Sequence, residues 1–146
     1  MKRTLKKELL QIFAITVGGL FLFNLSLMMY QAIYFLVEYA YYESNPMNVP
    51  VGLLRFGGSL ILVIAYLFVI RLKLSEIVKS TLLIAPVSMV SISMMMMLYE
   101  HSVLLILADF ILIGLSKSIV YFLKKPWFYL YASFYAIVLG IVYTFL

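Results

Sequence analysis

The chain has no cysteine, one histidine, four prolines and seven glycines in 146 residues. Without cysteine there is no disulfide framework, no thiolate metal site and no cysteine nucleophile. A lone histidine, His101, rules out a bis-histidine haem within this chain. So little glycine and proline, with no low-complexity run, excludes collagen-like and disordered sequences. Charge is also scarce: 12% of residues are Asp, Glu, Lys or Arg, about half the share of an ordinary soluble domain. Phosphate-loop, dinucleotide, zinc-protease, nucleophile-elbow, potassium-filter and acidic phosphotransfer motifs are all missing. The acids are scattered, so no catalytic residue, cofactor or metal site is expected.

What remains is apolar. Hydrophobic residues make up 66% of the chain, and the mean hydropathy is +1.11. Such a chain has too little polar surface to cover itself in water. The expected class is all-α: a polytopic helical membrane protein forming one integral domain. A bilayer core of about 30 Å takes about 20 apolar residues in a helix. Five stretches meet this at about 9–37, 51–70, 80–99, 103–123 and 127–146. The first follows a basic start but is too long for a cleaved signal peptide and is not followed by a small-x-small site. A polar loop with Asn45, Pro46, Asn48 and Pro50 separates it from the second. Pro86, inside the third, is expected to kink or loosen that helix. The turn Glu100-His101-Ser102 leaves a re-entrant pair as the alternative for the third and fourth spans.

Charge fixes the expected orientation. With the N-terminus inside, nine cations (Lys2, Arg3, Lys6, Lys7, Arg71, Lys73, Lys79, Lys124, Lys125) fall on inner segments and none on outer ones. This is the positive-inside pattern for five spans, N-in and C-out. The net charge of +5 therefore reads as topology and contact with anionic headgroups, with no nucleic-acid role. A multi-pass cell-membrane protein is expected.

Ionisable groups at membrane depth cost about 2.5–3.5 kcal/mol each on insertion scales, so each needs a partner or a role. Asp109 lies about 10 Å from the outer end of the fourth span and has no cation three or four residues away. An ion pair with Arg55, which sits at similar depth in the second span, is the leading reading. A protonated Asp109 bonded to Ser or Tyr, an ion or proton site, and a contact to a partner subunit are the others. Lys117 snorkels to the inner surface or marks, with Asp109, a polar path beside Ser116 and Ser118. Asn24, Gln31 and Glu38 recur every seven residues and share one stripe of the first helix, read as a packing seam. Met94–Met97 reads as flexible apolar packing surface in preference to a haem ligand set. Gly18-Gly19 and Gly57-Gly58 are places of close approach, neither forming GxxxG.

Residues 51–123 carry an apolar span, a short charged connection, and a span ending in Glu100-His101 before the next one. This pattern resembles the phosphate-starvation-inducible PsiE family of small helical membrane proteins, which tends to have Asp-His at that pair. The family's third-span Arg is missing here, and the fifth span exceeds its usual four. The resemblance implies a helical membrane protein and no defined chemistry. Two functions follow from the residues. One is a non-enzymatic accessory subunit, its partners being the lipid bilayer and other membrane subunits or a second copy. The other is a small oligomeric transporter or channel using Asp109, Lys117, Asn24 and Gln31.

Overall fold

A computed structural model of the chain describes residues 2–42 and 51–145; Met1, the polar loop 43–50 and Leu146 lie outside them. Among the described residues the regular structure is entirely helical: α1 (Lys2–Tyr42), α2 (Val51–Arg71), α3 (Glu76–Met97), α4 (Ser102–Phe122) and α5 (Phe128–Phe145). Four of them, α1, α2, α3 and α5, are long and apolar enough to cross a membrane. The helices occupy the expected apolar stretches. The main difference is α1, whose 41 residues extend about 60 Å, twice a hydrocarbon core, so that its basic start and its Glu38 end are helical too. Pro86 does not interrupt α3. Its cost is the missing bond to the Leu82 carbonyl.

The centre of the bundle is α3, which packs against all four other helices. Around it, α2 touches α1, α1 touches α5 and α5 touches α4, but among the described residues α4 and α2 do not meet. The outer helices therefore form a horseshoe with one open side. Burial within α3 is helped because three of its four buried serines satisfy themselves. Ser80 donates to the Ile77 carbonyl at 2.7 Å, Ser88 to Ala85 at 3.0 Å and Ser93 to Met89 at 2.8 Å. A hydroxyl bonded to its own helix adds little polarity to an interface.

The closest packing joins α3 to α5. Ala132, Ala136 and Gly140 lie four residues apart and are all buried, which places them on one face of α5. Small residues at this spacing let two backbones approach where lipid offers no hydrophobic drive between helices. A Cβ at Gly140 would stand 2.8 Å from Ser91 Oγ, 3.0 Å from Ser91 Cβ and 3.4 Å from the Ser88 carbonyl oxygen. Ser91 Oγ, a buried oxygen with no hydrogen-bond partner among the described residues, thus faces the bare Cα of Gly140. On the other side of α3, Gly19 of α1 is pressed against Ile84 so closely that a Cβ would overlap it.

At its end α4 closes with a Schellman turn: Lys125 N–H donates to the Val120 carbonyl at 3.0 Å and Lys124 N–H to Tyr121 at 3.2 Å. The residue at the left-handed position is Lys124, with φ 48°. Glycine would fill that position without the Cβ penalty of about 1 kcal/mol.

Replacing Gly140 with leucine inserts a side chain where a Cβ alone already crowds Ser91. We expect a loss of about 1–3 kcal/mol from overpacking, read as a lower Tm of the detergent-solubilised protein, whereas Val142→Leu on the exposed side of α5 leaves Tm unchanged.

Candidate functional site

Two polar nodes hold the bundle at opposite ends. The first is Glu76, in the opening turn of α3 behind the N-cap Ser75, whose hydroxyl accepts the Val78 N–H at 3.4 Å. One Glu76 oxygen accepts from Lys125 Nζ at 2.9 Å and from the Tyr129 hydroxyl at 2.7 Å; the other faces Lys79 Nζ at 3.5 Å. Lys125 also lies over the Tyr129 ring, 5.4 Å from its centroid. Because Glu76 starts α3 and Tyr129 belongs to the first turn of α5, the node fixes these helices side by side and parallel. Glu76 stands ahead of the apolar stretch that begins at Ser80. The hydrogen bonds from Tyr129 and Lys125 hold its carboxyl well below the usual carboxylate range.

The second node is Arg55. Its Nε donates to the Tyr30 hydroxyl of α1 at 3.2 Å, its Nη1 reaches Met96 Sδ of α3, and its carbonyl accepts from Ser93 at 3.4 Å. Beside it an open cleft of about 660 Å³ includes Met97, Tyr99 and Glu100.

The expected Arg55–Asp109 ion pair is not formed among the described residues, where both ion pairs involve Glu76. The physical reason lies in the horseshoe. Arg55 is on α2 and Asp109 on α4, two helices that do not meet, and Arg55 turns toward α1 and α3. The acid that shares a cleft with Arg55 is Glu100. Asp109 is half-buried, with no side-chain bond among the described residues. It belongs to the less exposed stripe of α4 with Leu112, Ser116 and Val120. Ser116 is seven residues further along that stripe, about 10 Å away. There it lines a cavity of about 110 Å³ in the open side, walled by Tyr66 and Ile70 of α2, floored by Leu83 and Val87 of α3 and closed by Tyr129.

Lys117 points elsewhere. It is exposed and lines a wide groove of about 620 Å³ with Lys124, Lys125, Tyr121 and Trp127. Asn24 and Gln31 are exposed and Glu38 is half-exposed; Asn24 bonds only its own helix, at the Leu20 carbonyl, 2.8 Å away. The face of α1 that packs inward carries Ile15, Gly19, Phe23 and Ser26. The seven-residue polar stripe therefore runs along an outer flank of α1 and is not a seam within this chain. The main cavities do not bring Asp109, Lys117, Asn24 and Gln31 together. His101 is exposed, and no three His, Asp or Glu among the described residues converge as metal ligands.

Sequence reasoning missed Glu76 and the small-residue face of α5. Both left signals: Glu76 is an acid within an otherwise cationic connection, and Ala132, Ala136 and Gly140 keep a four-residue interval. Comparison with known protein families, curated proteins and solved structures finds no match.

Replacing Glu76 with glutamine should cost about 1 kcal/mol, since bonds to a charged acceptor are discounted here for a carboxylate that is 40% exposed. Its folded pKa is depressed, so its contribution is complete above the ordinary carboxylate pKa and drains away as pH falls toward about 2. The Tm gap between wild type and Glu76→Gln should therefore be full at pH 6 and narrow steadily below about pH 4. A gap independent of pH would show that the charge of Glu76 is not what ties α3 to α5.

Proposed function

We propose that the chain is a non-enzymatic accessory subunit of the cell membrane, crossing it five times with N-in and C-out orientation. It works by receiving a partner's transmembrane helix in the open side between α2 and α4. One observation carries this reading: the outer helices run α2–α1–α5–α4 around α3 and leave a gap between α4 and α2 among the described residues, with Asp109 on the stripe of α4 that borders it. A carboxyl at membrane depth with no bond among the described residues retains its insertion cost. A partner helix bearing a hydroxyl, amide or cation would remove that cost and cover the half-buried flank of α3 that carries Leu83 and Val87. The stripe Asn24, Gln31 and Glu38, lying on the outer flank of α1, supports the same reading as a second polar contact line. The resemblance of residues 51–123 to the PsiE family goes with it, since that family also consists of small helical membrane proteins. The transport reading has less support, because its four polar residues point to different surfaces.

A chain without cysteine permits clean single-cysteine experiments. For orientation, Glu100→Cys should react with a membrane-impermeant maleimide in intact cells, and Lys73→Cys only after permeabilisation. For the partner, a photo-crosslinker at Ile113, beside the open side, should give one discrete heavier adduct in native membranes, while Ile111 on the opposite face gives none. Asp109→Leu should weaken the adduct about tenfold, the equivalent of about 1.4 kcal/mol. Adducts equal from both positions, or unchanged by Asp109→Leu, would defeat the proposal. An adduct of twice the chain mass would identify the partner as a second copy.

A further inference from the structure

The groove beside the α4–α5 turn has a chemistry that the accessory-subunit reading does not use. Three lysines line it, and they are not equivalent. Lys125 is neutralised by Glu76 at 2.9 Å. Lys117 and Lys124 are exposed and have no ion pair among the described residues. The walls between them are apolar and aromatic: Trp127, Leu130 and Tyr121 line the groove, and Tyr121 and Phe122 are 82% and 81% exposed. Two uncompensated cations over an aromatic wall at the end of a span match a phosphate above glycerol and acyl carbons. A free inorganic anion would use the cations and leave the apolar walls wet.

The backbone supplies an independent observation. Lys124 holds the left-handed position of the Schellman turn at φ 48°, where glycine is the low-cost residue. A strained backbone at a ligand clamp is a recurrent association, and here the strain sets a lysine at the mouth of the groove.

We infer that this groove binds the headgroup of an anionic phospholipid, its phosphate held by Lys117 and Lys124 and its glycerol and upper acyl carbons against Tyr121 and Trp127. The inference rests on the membrane-spanning reading above. Lipid retention tests it, while maleimide accessibility tests the span topology, so either can fail without the other.

The test is native mass spectrometry of the full chain in mild detergent with an equimolar mixture of phosphatidylglycerol and phosphatidylcholine. Phosphatidylglycerol should be retained preferentially. The Lys117→Gln, Lys124→Gln double variant should lose that retention about 20- to 30-fold, and an Arg71→Gln, Lys73→Gln control at the same end of the bundle should keep it. Lys124→Gly separates charge from structure: it relieves the left-handed strain, so Tm should rise while lipid retention falls about fivefold. This variant keeps the proposal testable if the double variant does not fold. Equal retention of the two lipids, undiminished retention in Lys124→Gly, or full displacement of phosphatidylglycerol by inorganic phosphate would each overturn it, the last in favour of a simple anion site.

Discussion

The contact between Gly140 and Ser91 sets the spacing on which the rest of the bundle depends. Within lipid, apolar surface gains little by meeting other apolar surface, so helices associate through close packing and through hydrogen bonds. Gly140, Ala136 and Ala132 let α5 approach α3 until there is no room for a side chain between Gly140 and Ser91. At that distance Glu76 can reach Lys125 and Tyr129 together. The pair α3–α5 is then fixed at the middle by shape and at one end by charge. On its far side α1 adds Gly19 against Ile84 and a hydrogen bond of 2.7 Å between Thr16 and Tyr131.

The open side follows from which helices receive polar ties. α1 is bonded to α5 through Tyr131, and α2 to α1 and α3 through Arg55. No comparable side-chain bond holds α4 among the described residues. It is attached through its Schellman turn, whose own bonds are all local, and through packing at Val120. Packing at Ala108 and Val120 without a polar tie leaves the flank of α4 that carries Asp109 uncovered by α2. The gap and the unbonded carboxyl thus have one cause.

The helical architecture was legible because its cause is local. Residues 51–70, 80–99, 103–123 and 127–146 are each about as long as a bilayer core is thick, and breaks such as Lys124-Lys125-Pro126 cannot continue a helix. Composition and length suffice for such segments. Which helices touch was not legible. Arg55 and Asp109 match in depth, but depth is one coordinate, and the pairing failed on the lateral arrangement that the sequence does not print. The heptad stripe of Asn24, Gln31 and Glu38 follows from the helical period, but what faces it does not: a stripe says which residues point together, not what they point at. The small-residue face of α5 was readable at its four-residue interval. Leucine, isoleucine and valine around it dominate the hydropathy and mask the small residues that set the approach distance.

The distribution of charge at the lysine-rich end ties these features together. The nine cations of the N-terminus and of the α2–α3 and α4–α5 connections, against two acids there, leave a surplus that these segments cannot neutralise. One of the acids, Glu76, is committed to the α3–α5 junction, where it engages Lys79 and Lys125. Those two lysines serve the fold. Lys117 and Lys124 remain outside that node, and a cation beside exposed aromatic surface gains stability mainly from an anion that brings its own apolar body. A residue cheaper for the backbone was possible at position 124, yet the left-handed position holds a lysine. The one acid that locks α3 to α5 thus determines which cations stay available, so the stability of the bundle and the chemistry of its lysine-rich end are set by one allocation of charge.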